Sequence, residues 1–245
     1  MSCLKMLRRS ACVALATLVC SQAMAGVVIT GTRLVYPAGQ KEITVKLNNN
    51  GLHPALVQAW VDTGDIKSSP TSSKAPFVLS PPVSRIDPSK GQSLRLMFTG
   101  APLASDKESV YWLNILEIPP KAEGPVDLNV LQMAFRSRIK VFYRPDGLHG
   151  SATDAPSALQ WKVIPQGQGY ALQAFNPSAF HVSLVELNLA VGNQRFEGEN
   201  GMVGPGATHV FVVNGLKTSP GAAQVEFNAI NDYGALMPMQ QPLKP

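Results

Sequence analysis

The stretch NVLQMAFRSRIKVFYRP (residues 129–145) decides how this chain is read. Leu131, Met133 and Phe135 alternate with Gln132, Ala134 and Arg136, the period-two pattern of a β-strand with one apolar face. Arg136, Arg138 and Lys140 take the opposite parity, Arg144 follows, and Pro145 stops the run. Taken alone, this is a sandwich strand with its apolar face inward and its cations in water. Yet it follows a Gly/Pro loop and would close a domain, which puts it at or near a sheet edge. There, bulky apolar side chains invite pairing with another chain.

The same rhythm extends outward from this stretch. ITVKLN (43–48), LRLMF (94–98) and VYWLNILEI (110–118) alternate or run apolar, rich in β-branched and aromatic residues. Turn formers separate them: NNNG at 48–51, SSPTSS at 68–73, DPSKG at 87–91 and PPKAEGP at 119–125. About seven strands fit between Gly26 and Arg144, the spacing of an immunoglobulin-type sandwich. RPDGLHGSATDAP (144–156) has turn formers and no period, and reads as a linker. Beyond it ALQWKVI, YALQAF, HVSLVELNLAV, THVFVV and AQVEFNAI resume the strand pattern. The predicted fold is all-β, with two immunoglobulin-like sandwiches over 26–146 and 156–245 joined by 147–155.

Residues 1–25 read as a secretory leader: Lys5, Arg8 and Arg9, an apolar run from Ala11 to Cys20, then AMA at 23–25. Cleavage after Ala25 would leave 220 residues, long enough for two cores of about 110 residues each. Cys3, Cys12 and Cys20 all lie in the leader, so the exported part would fold without disulfides. Three of the 21 Lys and Arg residues also lie there, and 18 remain against 16 acidic residues. The net charge falls from +5 to +2, which removes the case for nucleic-acid binding.

Enzyme signatures are absent from the sequence. It has no P-loop, no dinucleotide glycine fingerprint and no Gly-x-Ser-x-Gly elbow. His53, His149, His181 and His209 are scattered without metal-ligand spacing, and Glu197 and Glu199 share a glycine-rich turn. No catalytic residue, metal, cofactor or small-molecule substrate is expected.

Six segments in order carry a resemblance: TRLVYP (32–37), ALVQAWVD (55–62), PPVSRIDP (81–88), YWLNILEIPP (111–120), NVLQMAFRSRIKVFYRP (129–145) and INDYGA (230–235). With the leader and two β domains, the chain resembles the periplasmic pilus chaperones of the chaperone–usher pathway. The resemblance spans essentially the whole exported part. It implies an L-shaped molecule with a cleft between the domains, a periplasmic location, and fimbrial subunits and an outer-membrane usher as partners. Self-association of the free protein over its exposed edge strand is a further partner considered.

By this resemblance, Arg33 and Lys140 grip the C-terminal carboxylate of a subunit, and Asn129, Leu131, Met133 and Phe135 form a donor strand. That strand would complete a subunit lacking its own last strand. Glu108, Arg144 and Asp232 correspond to an ion network between the domains. Arg136 and Arg138 are left as solvated charge. The short-to-medium loop from Pro119 to Asn129, without cysteines, resembles the short-loop branch of the family. The alternative is a secreted two-domain β-sandwich adhesin or fimbrial structural subunit. That class should carry a donor segment before its first domain, where this chain has GVVITGTRLVYP (26–37).

Overall fold

The computed structural model describes residues 26–120 and 133–243. The expected leader (1–25) and two members of the expected donor strand, Asn129 and Leu131, lie outside the described residues.

The first sandwich contains β1 (Val27–Ile29), β2 (Arg33–Pro37), β3 (Glu42–Asn49), β4 (Ala55–Asp62) and β5 (Phe77–Ser80). It continues with β6 (Val83–Ile86), β7 (Gly91–Phe98), β8 (Ser109–Ile118) and β9 (Phe135–Arg144). Two sheets form, ordered β1-β3-β7-β5 and β2-β9-β8-β4-β6. The strand count exceeds the sequence reading because β1, β5 and β6, at three or four residues, are too short to show a period. Gly31, at φ +102, lies where the chain leaves the first sheet after β1 and enters the second at β2. An L side chain is strained in that conformation.

Alternation fills the core. Ala55, Val57, Ala59 and Val61 of β4, Leu113 and Ile115 of β8 and Val141 of β9 meet Val45, Leu47, Leu94 and Leu96 of the other sheet. Each large side chain so buried contributes roughly 1.5–3 kcal/mol. Tyr36 is fully buried among Phe77, Phe98 and Tyr143. Its hydroxyl lies 3.0 and 2.9 Å from the Gln40 and Lys41 carbonyls and accepts from the Phe98 N–H at 3.1 Å.

The second sandwich comprises β10 (Gln160–Gln166), β11 (Gly169–Phe175), β12 (Val182–Val191) and β13 (Gln194–Glu197). To these it adds β14 (Gly201–Val203), β15 (Thr208–Val212), β16 (Gln224–Ile230) and β17 (Leu236–Pro242). The sheets are β10-β11-β15 and β13-β12-β16-β17, with β14 also on β12. A register shift between Val185 and Asn188 changes the phase of β12, so Leu184, Leu187 and Leu189 all reach the core. That is what a bulge does to a period-two strand. Residues of the predicted linker contribute too: Ala155, in a one-turn 3-10 helix (Ala155–Ala158), is buried in this core, and Leu148 and Ala152 pack against it.

Candidate functional site: a half-open strand ending at an interdomain cation pair

β9 has two halves with different surroundings. From Lys140 to Arg144 it lies between β8 and β2, with β2 running parallel to it. From Phe135 to Ile139 only β8 pairs with it among the described residues, so the other edge is open. The side chains change at the same point. Val141 is fully buried and Ile139 packs on the core, whereas Phe135 is 60% exposed and Met133, just before the strand, 53%. The apolar-inward reading therefore holds from Ile139 onward and not at Phe135.

Arg33 and Lys140 sit where the open edge ends, as direct partners in the parallel β2–β9 register. Both cations reach toward the second domain. Arg33 Nη1 donates to the Ile230 carbonyl at 2.8 Å, and Lys140 Nζ donates to Ser183 Oγ at 3.1 Å. Among the described residues no carboxylate lies within ion-pair distance of either. Arg33 Nε is buried without a hydrogen-bond partner. A cavity of about 370 Å³ opens beside Lys140, walled by Trp112, Ser183, Met202 and Ile230 among others. Burial, and secondarily Arg33, pushes the Lys140 ammonium down from its ordinary 10.5 to about 8. Burial also lowers Arg33, against the opposing pull of Asp232 and Glu108. Lys140 lines this cavity and Arg33 is its register partner, so two desolvated cations lie side by side, an arrangement chemically suited to an anion.

Glu108, Arg144 and Asp232 meet across the domain junction. Arg144 Nε donates to Glu108 Oε1 at 2.6 Å, while Nη1 and Nη2 fork onto Asp232 at 2.7 and 2.8 Å. The Glu108 side chain is 1% exposed. Its other oxygen accepts from the His181 backbone N–H at 2.8 Å, with His181 Nδ1 at 3.3 Å. Burial opposes the Arg144 charge, but its hydrogen bonds to Asp232 and Glu108 more than offset that and raise its pKa. The guanidinium also lies over the Phe180 ring, 5.3 Å from its centroid. The reading of three residues thus lacked His181 and Phe180, which the FHVSL segment (180–184) brings from the second domain.

Arg136 and Arg138 correct the sequence reading: they are not solvated charge. Their side chains are 26% and 19% exposed, and both serve a buried carboxylate, Asp62, whose side chain is 1% exposed. Arg138 donates to Asp62 at 2.5 and 3.2 Å and stacks 4.2 Å from the Trp112 ring centroid. Arg136 forks onto Asn114 Oδ1 at 2.9 and 2.6 Å and stacks over Trp60 at 4.7 Å. Desolvation would raise the Asp62 pKa, but hydrogen bonds from Arg138, Asn114, Gly64 and Ser68 hold it below the ordinary carboxylate value. Two of the partners lie more than 70 residues away in β4, where AWVD puts Trp60 and Asp62 on the parity opposite to the core, and two, Trp112 and Asn114, lie in β8. That pairing was the available signal.

The two sandwiches also match known families along nearly their whole length. The family model of the N-terminal domain of PapD, a pili and flagellar-assembly chaperone, matches residues 26–149. That of the PapD C-terminal domain, a pili assembly chaperone, matches 154–241. The chain belongs to the pilus-assembly chaperone family. A probable fimbrial chaperone of Escherichia coli K12, YadV, is 44% identical over 87% of this chain and 88% of its own length. The chaperone protein FimB/FhaD of Bordetella pertussis is 42% identical over 89% and 88%. The YadV crystal structure superimposes with a TM-score of 0.79, at 41% identity, covering 89% of this chain and all of that one. A Salmonella enterica structure of the SafA pilin in complex with the SafB chaperone matches at TM-score 0.73 and 28% identity, over 91% and 99%.

The protein is thus a fimbrial chaperone with two PapD-like β domains, and the adhesin or structural-subunit alternative is set aside. Its relatives act as chaperones of assembly, not as enzymes. Among the described residues no three His, Cys, Asp or Glu side chains converge as metal ligands.

Proposed function

We propose that this chaperone works in the periplasm, where it captures fimbrial subunits that lack a strand, completes their fold with β9, and delivers them to an outer-membrane usher. The observation that carries the reading is the position of Arg33 and Lys140 at the end of the open edge of β9. β2 starts at Arg33 and runs in the direction of β9. A strand added beside Phe135–Ile139, in line with β2 and of the same direction, would bring its C-terminal carboxylate to the two cations. Gripping a chain terminus sets register without reading side chains, and each charge-assisted hydrogen bond contributes roughly 1.5–3 kcal/mol.

With the terminus held, Asn129, Leu131, Met133 and Phe135 are the donor positions, their alternate side chains entering the subunit's open core. Two edge strands of the second domain give support by contrast. β10 carries Pro165, and β17 carries Pro238 and Pro242, which blunt those edges. β9 carries no proline between Phe135 and Arg144. Arg144 with Glu108 and Asp232 braces the angle between the domains, and hence the setting of the cation pair. The junction between domains falls after Asp146. The leader-like sequence of residues 1–25 supports export, and membership in the pilus-assembly chaperone family supports delivery to an usher.

The test is co-expression with a tagged cognate pilin subunit. Wild type should co-purify as a one-to-one complex, and Arg33→Ala/Lys140→Ala should fold but co-purify none. Co-purification of the double variant at wild-type yield would overturn the reading.

A further inference from the structure

The open half of β9 raises a physical problem that the donor role does not itself answer. Among the described residues Phe135 and Ser137 make no core contact, one strand edge has no pairing strand, and β8 alone bonds the backbone. A half-strand held so thinly should fray. Yet its remaining face is tied down. On the outer face of the sheet, Trp60, Asn114 and Arg138 lie side by side across β4, β8 and β9, with Asp62, Trp112 and Lys140 in the next row. Arg136 bonds Asn114 and, at 2.8 Å, the Ile66 carbonyl of the loop after β4. Asn114 is fully buried and donates to Asp62 at 2.7 Å. Trp112 is shared: Arg138 stacks at 4.2 Å and Lys140 Nζ lies 5.6 Å from the same ring.

We infer that Arg136 and Arg138 are positioning residues for subunit capture: through Asn114, Asp62, Trp60 and Trp112 they lock the unpaired half of β9 extended, so that it meets a subunit preorganised. The inference rests on the strand-donation reading. It gives the two arginines a task that charge alone does not explain, because the planar guanidinium both forks onto oxygen and stacks on indole. Ordering a strand in advance removes part of the entropic cost of binding. The lattice also couples donor to anchor, since one indole supports Arg138 and the Lys140 ammonium.

The experiment uses the full chaperone without a partner. Two variants are made: Arg136→Met, which leaves Asp62 with Arg138, and Asp62→Asn/Arg138→Met, which removes both members of the buried pair together. Hydrogen exchange should accelerate roughly 10-fold or more at the amides of 135–139 that bond β8, while Val141 and Phe142 keep their protection. Near-ultraviolet dichroism should lose the Trp60 and Trp112 signature. Association with a tagged pilin subunit should slow by a similar factor, with dissociation less affected. Unchanged exchange at 135–139 in both folded variants, or loosened exchange with unaltered association, would overturn the inference. A uniform loss of protection across the domain would also overturn it, by showing a stability role only. If Lys140→Ala binds subunits normally, the strand-donation reading fails, and exchange in the free protein still judges the lock.

Discussion

Arg33 and Lys140 are register partners in a parallel strand pair, and the edge of β9 is covered on one side of that pair and open on the other. A parallel pairing inside an otherwise antiparallel sheet gives the open edge a direction as well as a limit. Only a strand of the same polarity as β2 arrives carboxylate-first at the two cations.

Lengthening the subunit tests that geometry. Two glycines added to the pilin C-terminus would move the carboxylate by about 7 Å, beyond both cations. Capture should fall roughly 10-fold or more, while the chaperone itself is untouched. Equal affinities of native and extended subunits, measured by titration, would remove the carboxylate from the mechanism.

The depressed Lys140 pKa predicts opposite pH responses of stability and binding. In the free chaperone, between pH 8 and 10.5, the unfolded chain holds a proton at Lys140 that the folded one has released. Stability from this group therefore rises with pH across that window. Binding a carboxylate needs the ammonium, so affinity falls over the same rise. Tyr111 and Tyr143, whose phenols burial pushes up, act against the stability gain above pH 10. Comparing wild type with Lys140→Met isolates the lysine: the difference in unfolding free energy should shrink from pH 8 to 10.5. A difference independent of pH would contradict the assignment.

Phe135→Arg should weaken subunit capture without lowering the melting temperature, because the ring is 60% exposed in the free chaperone. Surface substitutions of this kind stay within roughly 0.5 kcal/mol. A fall of several degrees in a thermal scan would return Phe135 to the chaperone's own core.

Arg144→Ala strips the hydrogen-bonded cation from Glu108, a carboxylate that stays buried beside His181. Leaving one member of such a network costs about 3–5 kcal/mol. The cost falls on the junction, so small-angle scattering should show a broadened interdomain distribution and pilus assembly should drop. Gly234→Ala offers a second route to the same loss. At φ +84 a side chain is strained, and the added carbon would collide with the Thr32 hydroxyl of the first domain. Scattering and assembly unchanged in both variants would deny the brace.

Part of this arrangement is legible in the sequence. Strand parity set Phe135 apart from Arg136, Arg138 and Lys140, and the family resemblance of TRLVYP and IKVFYRP pointed to Arg33, Lys140 and Arg144. The fates of Arg136 and Arg138 were not legible, nor were the partners Ser183, His181 and the Ile230 carbonyl. Each depends on a residue more than 40 positions away in sequence, reached only after sheets pair and domains dock.

By itself the sequence determined the all-β class and the two sandwiches, since alternation is a local property of a pleated chain. The tertiary structure alone decided where β9 is paired and where it is open. It also decided which cations meet water, which meet Asp62, and which face the cleft without a carboxylate among the described residues. Parity assigns a side chain to a face, but what that face touches is set by the neighbouring strand and the opposing domain.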